Sequence, residues 1–456
     1  MHCQRLTLNT LTAVLALAIS GTPAFAGVSA EEAAKLGMEL TPLGAERAGN
    51  ADGSIPAWTG EGIGEVPAGY QEGMHHPNPY ADEAPLATIT AANVEQYTHQ
   101  LTEGQTALFA TYPETFKMKV FPSHRTAQFP DWYVKNTAEC AATAELEDGG
   151  NGVTNAHACV PFPIPQSGIE VLWNHLLRFQ GVYRIDRVTQ PSPDANGRYV
   201  LDKLIRHQYF AYYDPEQADS DVYSYFIPLT LAPARNAGDA FLLIDYKNPV
   251  TNPRKAWRYF GGQRRVRRAP VLVYDTPIPT AYGLRLVDSF DMFFGSPDKF
   301  EWTLQGKEEI LVPYNNFELG SGDISFKEIL TPGHINPEFT RYEKHRVWVV
   351  EGKLKDGERH VYSRRKIYLD EDTWTILVHD MYDRQGELWR SAMNYIKLYW
   401  EVPVMLSSTE VHHDLLSRRY STSGLVNEYD GPIDLSKPIP DLSFFTPQSL
   451  RRLGVR

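Results

Sequence analysis

Long apolar runs are missing from this 456-residue chain once its first 26 residues are passed, and no later stretch approaches the roughly 18 consecutive apolar residues of a membrane-spanning helix. No transmembrane segment is therefore expected in the mature chain. Catalytic signatures are missing too: HExxH, GxSxG, a P-loop and CxxC do not occur. There is no 30-residue periodic repeat of the propeller kind. Cysteine is limited to three residues, Cys3, Cys140 and Cys159. Positive charge is in deficit, with 44 Lys and Arg against 56 Asp and Glu and a formal charge of -12. Together with the lack of any helix-turn-helix, zinc-finger or RNA-binding signature, that balance argues against a nucleic-acid partner.

The N-terminus does carry an apolar run. Arg5 is its only firm charge, residues 11–19 are apolar, and Ala24-Phe25-Ala26 forms a small-x-small cleavage site. This pattern predicts a secretory signal peptide cleaved near Ala26 and a periplasmic mature protein starting near Gly27. Cys3 precedes the apolar run, which argues against a lipoprotein anchor. In an oxidising compartment Cys140 and Cys159, read as lying in one Gly/Asn-rich loop segment, are expected to form a disulfide. With His157 they fall short of a four-ligand zinc pattern, and no metal or cofactor is expected.

Residues 27–165 are rich in Pro, Gly and Asn, and read as ordered loop wrapped on something else, with one amphipathic helix over 90–112. A second helix is expected over 167–179, capped by Ser167, with Ile169, Leu172, Trp173, Leu176 and Leu177 as a core-facing stripe. Past Gly181 strands follow one another, separated by turn signals such as PDANG, PARNAGD and FGG. The later strands are joined by KDGE, LDEDT and DRQGE, which imply antiparallel hairpins. The expected fold is mainly β: one large curved antiparallel sheet with a few helices over residues 166–456. The loop-rich region 27–165 packs on it, and the mature chain forms one structural unit.

One stretch breaks the acidic character. No Asp or Glu occurs between Asp245 and Asp275, a gap that holds Arg254, Lys255, Arg258, Arg264, Arg265, Arg267 and Arg268. The segment QRRVRRAPVLVY reads as a strand, with Arg265 and Arg267 on one face and Arg264, Val266 and Arg268 on the other. Arginine suits bidentate contact with phosphate or carboxylate, so Trp257, Arg258, Tyr259, Arg264, Arg265, Arg267 and Arg268 are candidate ligand-binding residues. Charge on an edge strand also deters aggregation, which is the competing reading. The chain has 9 Trp, 25 Tyr and 20 Phe. Tyr209, Tyr212, Tyr213, Tyr223, Tyr225 and Phe226 cluster near consecutive strands, and Tyr209, Tyr223 and Tyr225 join the candidate list as possible lining of a concave face. The acidic run Asp370, Glu371 and Asp372 is read as a solvated turn, and the pairs His75-His76 and His412-His413 as exposed and structural.

Several long blocks carry a family resemblance, among them LTPLGAERAGNADGSIPAWTG (40–60), WRYFGGQRRVRRAPVLVYDTP (257–277), DSFDMFFGSPDKFEW (288–302) and RYEKHRVWVVEGKLKDGERHVYSRRKIYLDEDTW (341–374). They resemble domain of unknown function family 1329 (DUF1329), a divergent relative of the LolA/LolB lipoprotein carriers and of the outer-membrane lipoprotein-sorting proteins associated with RND-superfamily exporters. The counterparts of those relatives' motifs are the strand from Trp257 to Arg268, the run Phe294-Gly295-Ser296-Pro297-Asp298, and Tyr368-Leu369-Asp370 with Tyr382-Asp383. Pro297 departs from the pattern. The resemblance implies an incomplete β-barrel, an antiparallel sheet curled around a hydrophobic cavity and covered by helices. Such a cavity suits an acyl chain or another lipid-like ligand. The resulting expectation is a periplasmic, non-enzymatic carrier or accessory protein working with an RND-type exporter or an outer-membrane acceptor. A carbohydrate-binding or carbohydrate-active protein is the alternative, because rows of aromatics also stack on sugar rings.

Overall fold

β-branched and aromatic residues in alternating runs dominate the chain after Gly181, and they form strands as their propensities favour. A computed structural model describes residues 27–270 and 272–454. The signal peptide expected over residues 1–26 lies outside the described residues. The strands are, in chain order, β1 (Ala87–Ile89), β2 (Met118–Val120), β3 (Glu145–Glu147), β4 (Gly152–Thr154), β5 (Tyr183–Thr189), β6 (Lys203–Tyr209), β7 (Val222–Ala232), β8 (Ala240–Tyr246), β9 (Lys255–Phe260) and β10 (Arg265–Arg268). They continue with β11 (Phe300–Pro313), β12 (Tyr342–Leu354), β13 (Arg364–Asp370), β14 (Ile376–Tyr382), β15 (Leu388–Tyr399), β16 (Val404–Asp414) and β17 (Arg419–Ser423). The α-helices are α1 (Ala30–Ala33), α2 (Glu103–Thr111), α3 (Asp131–Thr143), α4 (Gly168–Leu176), α5 (Phe326–Ile329) and α6 (Pro447–Gly454).

Strands β5 to β10 make a six-stranded antiparallel sheet in sequence order, as consecutive hairpins must. A second, nine-stranded sheet runs from β12 to β17, with β11 and the short β1–β2 pair on the far side of β12. The strands thus fall in two large sheets, with β3 and β4 a separate two-stranded pair, and the large sheets are pinned by bridges from Ile185 to Asp434 and from Thr189 to Leu425. The backbone N–H of Thr422 also donates to the Pro191 carbonyl at 2.9 Å. The result is a large antiparallel β surface that is not closed into a barrel. The segment STEVHHDLLSRRYST (408–422), which reads as one strand, is instead the hairpin of β16 and β17, turned at Arg418, whose φ of 54° lies in the left-handed region.

Strands β14 to β16 are buried almost throughout, and neighbouring residues on them enter different cores. Ala392 packs with helix α4 (Gly168–Leu176), whereas Met393 packs with Leu108 and Phe109 of helix α2 (Glu103–Thr111). The nine-stranded sheet is therefore sandwiched. Its outer cover comes from residues 89–120 and from the segment 314–335. The expected helix over 90–112 is broken into a 3-10 turn (Val94–Gln100) and α2, where Thr102 caps the new N-terminus by accepting from the Gln105 N–H. Helix α4 starts where Ser167 accepts from the Glu170 N–H, and it ends at Leu176, three residues short of the expected Phe179. Gly168 lets it press on β11: a Cβ there would lie 2.8 Å from the Thr303 backbone carbon.

Cys140 and Cys159 are joined, as expected. Cys140 lies in helix α3 (Asp131–Thr143) and not in a loop, so the bridge ties that helix to the segment leading into α4. Residues 276–298, which carry the expected Phe-Gly-Ser stretch, pack against the same sheet face as α4 through two buried acids. Asp291 takes Arg178 bidentately at 2.6 and 2.8 Å, and also accepts from Gln180. Asp288 pairs with Arg365 and with His360 Nε2 at 3.0 Å. Arg365 is itself enclosed by the rings of Phe293, Phe300 and Tyr362 at 4.8 to 5.2 Å.

Burial raises both carboxyls and is outweighed by Arg178 at Asp291 and by Arg365 and His360 at Asp288, so both sit below the ordinary 3.8. A depressed carboxyl stabilises the fold above its unfolded pKa, and that contribution is lost as the pH falls through the folded value. Replacing Asp288 and Asp291 with Asn should cost about 3–5 kcal/mol per pair at neutral pH, since each leaves a buried guanidinium unmatched. Denaturant titrations should show the gap to wild type narrowing below pH 3.8. A gap unchanged between pH 7 and 3 would mean the pairs do not carry this charge.

Candidate functional site

Helix α4 and the 276–298 segment meet the open ends of β7 and β8 in a cavity of about 300 Å³. Trp173, Leu176 and Leu177 form its floor. Tyr223, Tyr246, Val250 and Pro253 come from the six-stranded sheet and the loop after it, and Val273, Val287 and Phe294 from the 276–298 side. The apolar stripe of α4, read as core, is thus both core and cavity floor. The Trp173 indole N–H donates to the Gly150 carbonyl at 2.9 Å, as a buried indole requires. Polar groups are few. Arg254 sits on the lining, pairs with Asp245 at 2.6 Å, and stacks on Phe294 with its guanidinium 5.5 Å from the ring centre. Tyr274 donates to Asp298 at 3.0 Å. A partly open apolar volume whose lining carries one ion pair, Arg254 with Asp245, is the form of a site for a hydrophobic chain.

Of the candidates named from sequence, Tyr223 alone lines this cavity. Tyr209, Tyr225, Trp257 and Tyr259 lie together on one face of the six-stranded sheet, beneath the C-terminal segment. Phe445 stacks on Tyr209 at 5.6 Å, and helix α6 (Pro447–Gly454) covers Tyr259 so closely that a Cβ on Gly454 would lie 2.2 Å from its ring. Arg258 is occupied internally by Asp239 at 2.7 Å and by the Phe260 ring at 4.3 Å.

Arg265, Arg267 and Arg268 are exposed on β10, the outer edge of the sheet. The expected strand is shorter than its sequence pattern, ending at Arg268, because Pro270 has no N–H to donate. Arg264 is not on it: with φ at 52° it occupies the turn, so the expected pairing of faces holds only from Arg265 onward. Sequence reasoning missed Tyr246, Val250, Arg254 and Val273 as lining. The switch from strand to a Pro-containing loop at 249–253, within the acid-free stretch, was the available signal.

Two further expectations are corrected. Asp370, Glu371 and Asp372 are not solvated: they are 0, 2 and 4% exposed, with Asp372 held by Arg125 and Glu371 by Arg346 and Lys307. His76, His412 and His413 are buried as well. His76 meets Glu401 at 3.0 Å and stacks with Tyr70, and burial pushes His413 down to about 3, which keeps it neutral. On β16 the adjacent histidines do alternate faces.

A family model described as "Protein of unknown function (DUF1329)" matches residues 88–451. Uncharacterized protein PA3922 of Pseudomonas aeruginosa is 46% identical over 449 residues, covering 98% of each chain. The chain belongs to the DUF1329 family. Similar solved structures include a putative outer membrane lipoprotein-sorting protein domain from Vibrio parahaemolyticus, at 14% identity and a TM-score of 0.43 over 62% of this chain and 98% of that one. A DUF1329 family protein from Desulfovibrio piger gives 12% and 0.41 over 59% and 92%. A LolA superfamily protein from Nitrosomonas europaea gives 13% and 0.37 over 62% and 98%. Among the described residues no helix is long and apolar enough to cross a membrane.

The C-terminal cover makes its own test. Phe445, 3% exposed against Tyr209 and Tyr225, should cost about 3–5 kcal/mol when replaced by Ala. Tyrosine fluorescence and urea unfolding would both report it, and a loss below about 1 kcal/mol would show the aromatic face to be open.

Proposed function

We propose that the protein is a non-enzymatic carrier or accessory protein of the periplasm that shelters an acyl chain or similar hydrophobic ligand. The observation that carries this reading is the apolar cavity between α4, the 276–298 segment and the ends of β7 and β8. Burial of an alkyl chain there is favourable at about 0.8 kcal/mol per methylene and demands no directional partner. Arg254 on the lining offers a charge-assisted bond to a carboxylate or phosphate end. Residues 166–456 provide the carrying surface and residues 27–165 wrap its outside. The periplasmic setting is supported by the leader pattern, and a partnership with an RND-type exporter or an outer-membrane acceptor by the family resemblance. Arg264, Arg265, Arg267 and Arg268, exposed on the sheet edge, are assigned to an acidic partner loop or anionic head group.

A fluorescent fatty-acid probe should bind saturably and be displaced by periplasmic lipid extract. Val250→Trp, which fills the mouth from a 41% exposed position, should weaken it by about tenfold or more without loss of stability. Turnover of a polysaccharide with no lipid displacement would support a carbohydrate-active protein instead.

The four arginines are tested separately. Changing all of them to Gln should weaken partner or head-group binding well over tenfold, since charge-assisted bonds contribute about 1.5–3 kcal/mol each. Unchanged affinity in a folded variant that aggregates more readily would leave them as protection of an edge strand.

A further inference from the structure

Three buried side chains outside that cavity's lining offer metal-binding atoms to a single point. A ring nitrogen of His345 and one carboxylate oxygen from each of Asp370 and Asp372 all lie within 4.8 Å of one another. His345 is 1% exposed, and the two acids are no more than 4% exposed. They are gathered from β12, from the last residue of β13 and from the tight turn that links β13 to β14.

The surrounding charges are matched one by one, with a single exception. Asp372 is held bidentately by Arg125 at 2.8 and 2.7 Å. Glu371 takes Arg346 at 2.9 Å and Lys307 at 2.8 Å. Glu343 takes Arg341 at 2.5 Å and His345 at 3.1 Å. Asp370 has no Arg or Lys partner. Its Oδ2 accepts from the Tyr314 hydroxyl at 3.1 Å and the Thr373 hydroxyl at 2.7 Å, while its Oδ1 is buried with no hydrogen-bond partner. An unmatched carboxylate in the interior costs several kcal/mol, so either a proton or a cation belongs there.

We propose that His345, Asp370 and Asp372 bind one divalent transition-metal ion, with Asp370 Oδ1 as a direct ligand. An imidazole nitrogen with two carboxylates favours zinc or manganese over calcium or magnesium, which prefer all-oxygen sets. Each ligand already has the outer partner that fixes its orientation: Glu343 on His345, Arg125 on Asp372, and Tyr314 and Thr373 on Asp370. Tyr314 also stacks on His345 with ring centres 3.8 Å apart. An entry path exists, since Asp372 lines a surface cavity of about 380 Å³ together with Trp58 and Gln128. The ion would fasten the N-terminal wrap, through Arg125, to the nine-stranded sheet. Its role there is structural.

The test uses the full mature chain, purified without a polyhistidine tag, stripped with EDTA and reloaded with zinc or manganese. Elemental analysis should find one ion per chain, and the melting temperature should rise on reloading. Asp370→Asn should weaken metal binding by at least about tenfold and abolish the rise. This substitution mimics a protonated carboxyl in shape, so it also separates the two ways of satisfying Asp370. If wild type takes up neither metal, and Asp370→Asn melts where wild type does, Asp370 carries a proton and the site is overturned. Should that variant fail to fold, metal uptake by wild type and its loss in His345→Gln decide the matter alone.

Discussion

The contact between Arg178 and Asp291 is the constraint on which the candidate site depends. Arg178 follows the last turn of α4, and Asp291 stands in the middle of the 276–298 segment. Their bidentate pair, reinforced by His175 Nε2 at 2.9 Å from the Asp291 carbonyl oxygen, fixes helix and segment at one separation. The cavity is what remains between them and the sheet ends. Because both partners are buried, neither can be lost without leaving a charge in the interior.

The same logic runs through the nine-stranded sheet. With both faces covered, its strands carry charged side chains into places where water cannot reach them, so each must find a partner within the fold. Arg365 with Asp288, Arg390 with Asp414, and Glu343 with Arg341 do so directly. The first joins parts of the chain 77 residues apart, and buried pairs of that kind tie the covers to the sheet. They also explain why the covers, although poor in regular structure, are ordered: residues 46–125 are held by their ends, with Arg125 and the Glu46 carbonyl both engaged at the acidic turn.

Local chemistry made much of this legible from sequence. Ser167 as a cap, the apolar stripe of α4, the hairpins after KDGE and LDEDT, and the Cys140 to Cys159 pairing each follow from residues close together or from compartment. What stayed hidden depends on distant segments. Tyr209 and Tyr225 alternate as lining residues would, and only the docking of Phe445, more than 200 residues later, turns them into core. Asp370 to Asp372 have the composition of a solvated turn, and it is Arg125 and Arg346 that draw them inside. The arginine run read as a strand of regular alternation, but Arg264 takes a left-handed turn conformation and Pro270 follows closely after the last paired residue. For the cavity, the floor was visible as an apolar helix face, whereas the walls come from loops whose positions no periodicity encodes.

The central claim is that the cavity against α4 receives a hydrophobic chain. Photocrosslinking with a diazirine-bearing fatty acid, followed by peptide mapping of the labelled protein, addresses it most directly. The account expects label concentrated on peptides containing Trp173 to Leu177, Tyr223, Tyr246 to Val250 and Phe294, and suppressed by excess unlabelled lipid. Label confined to the aromatic face near Tyr209 and Phe445, or spread over the surface without competition, would contradict it.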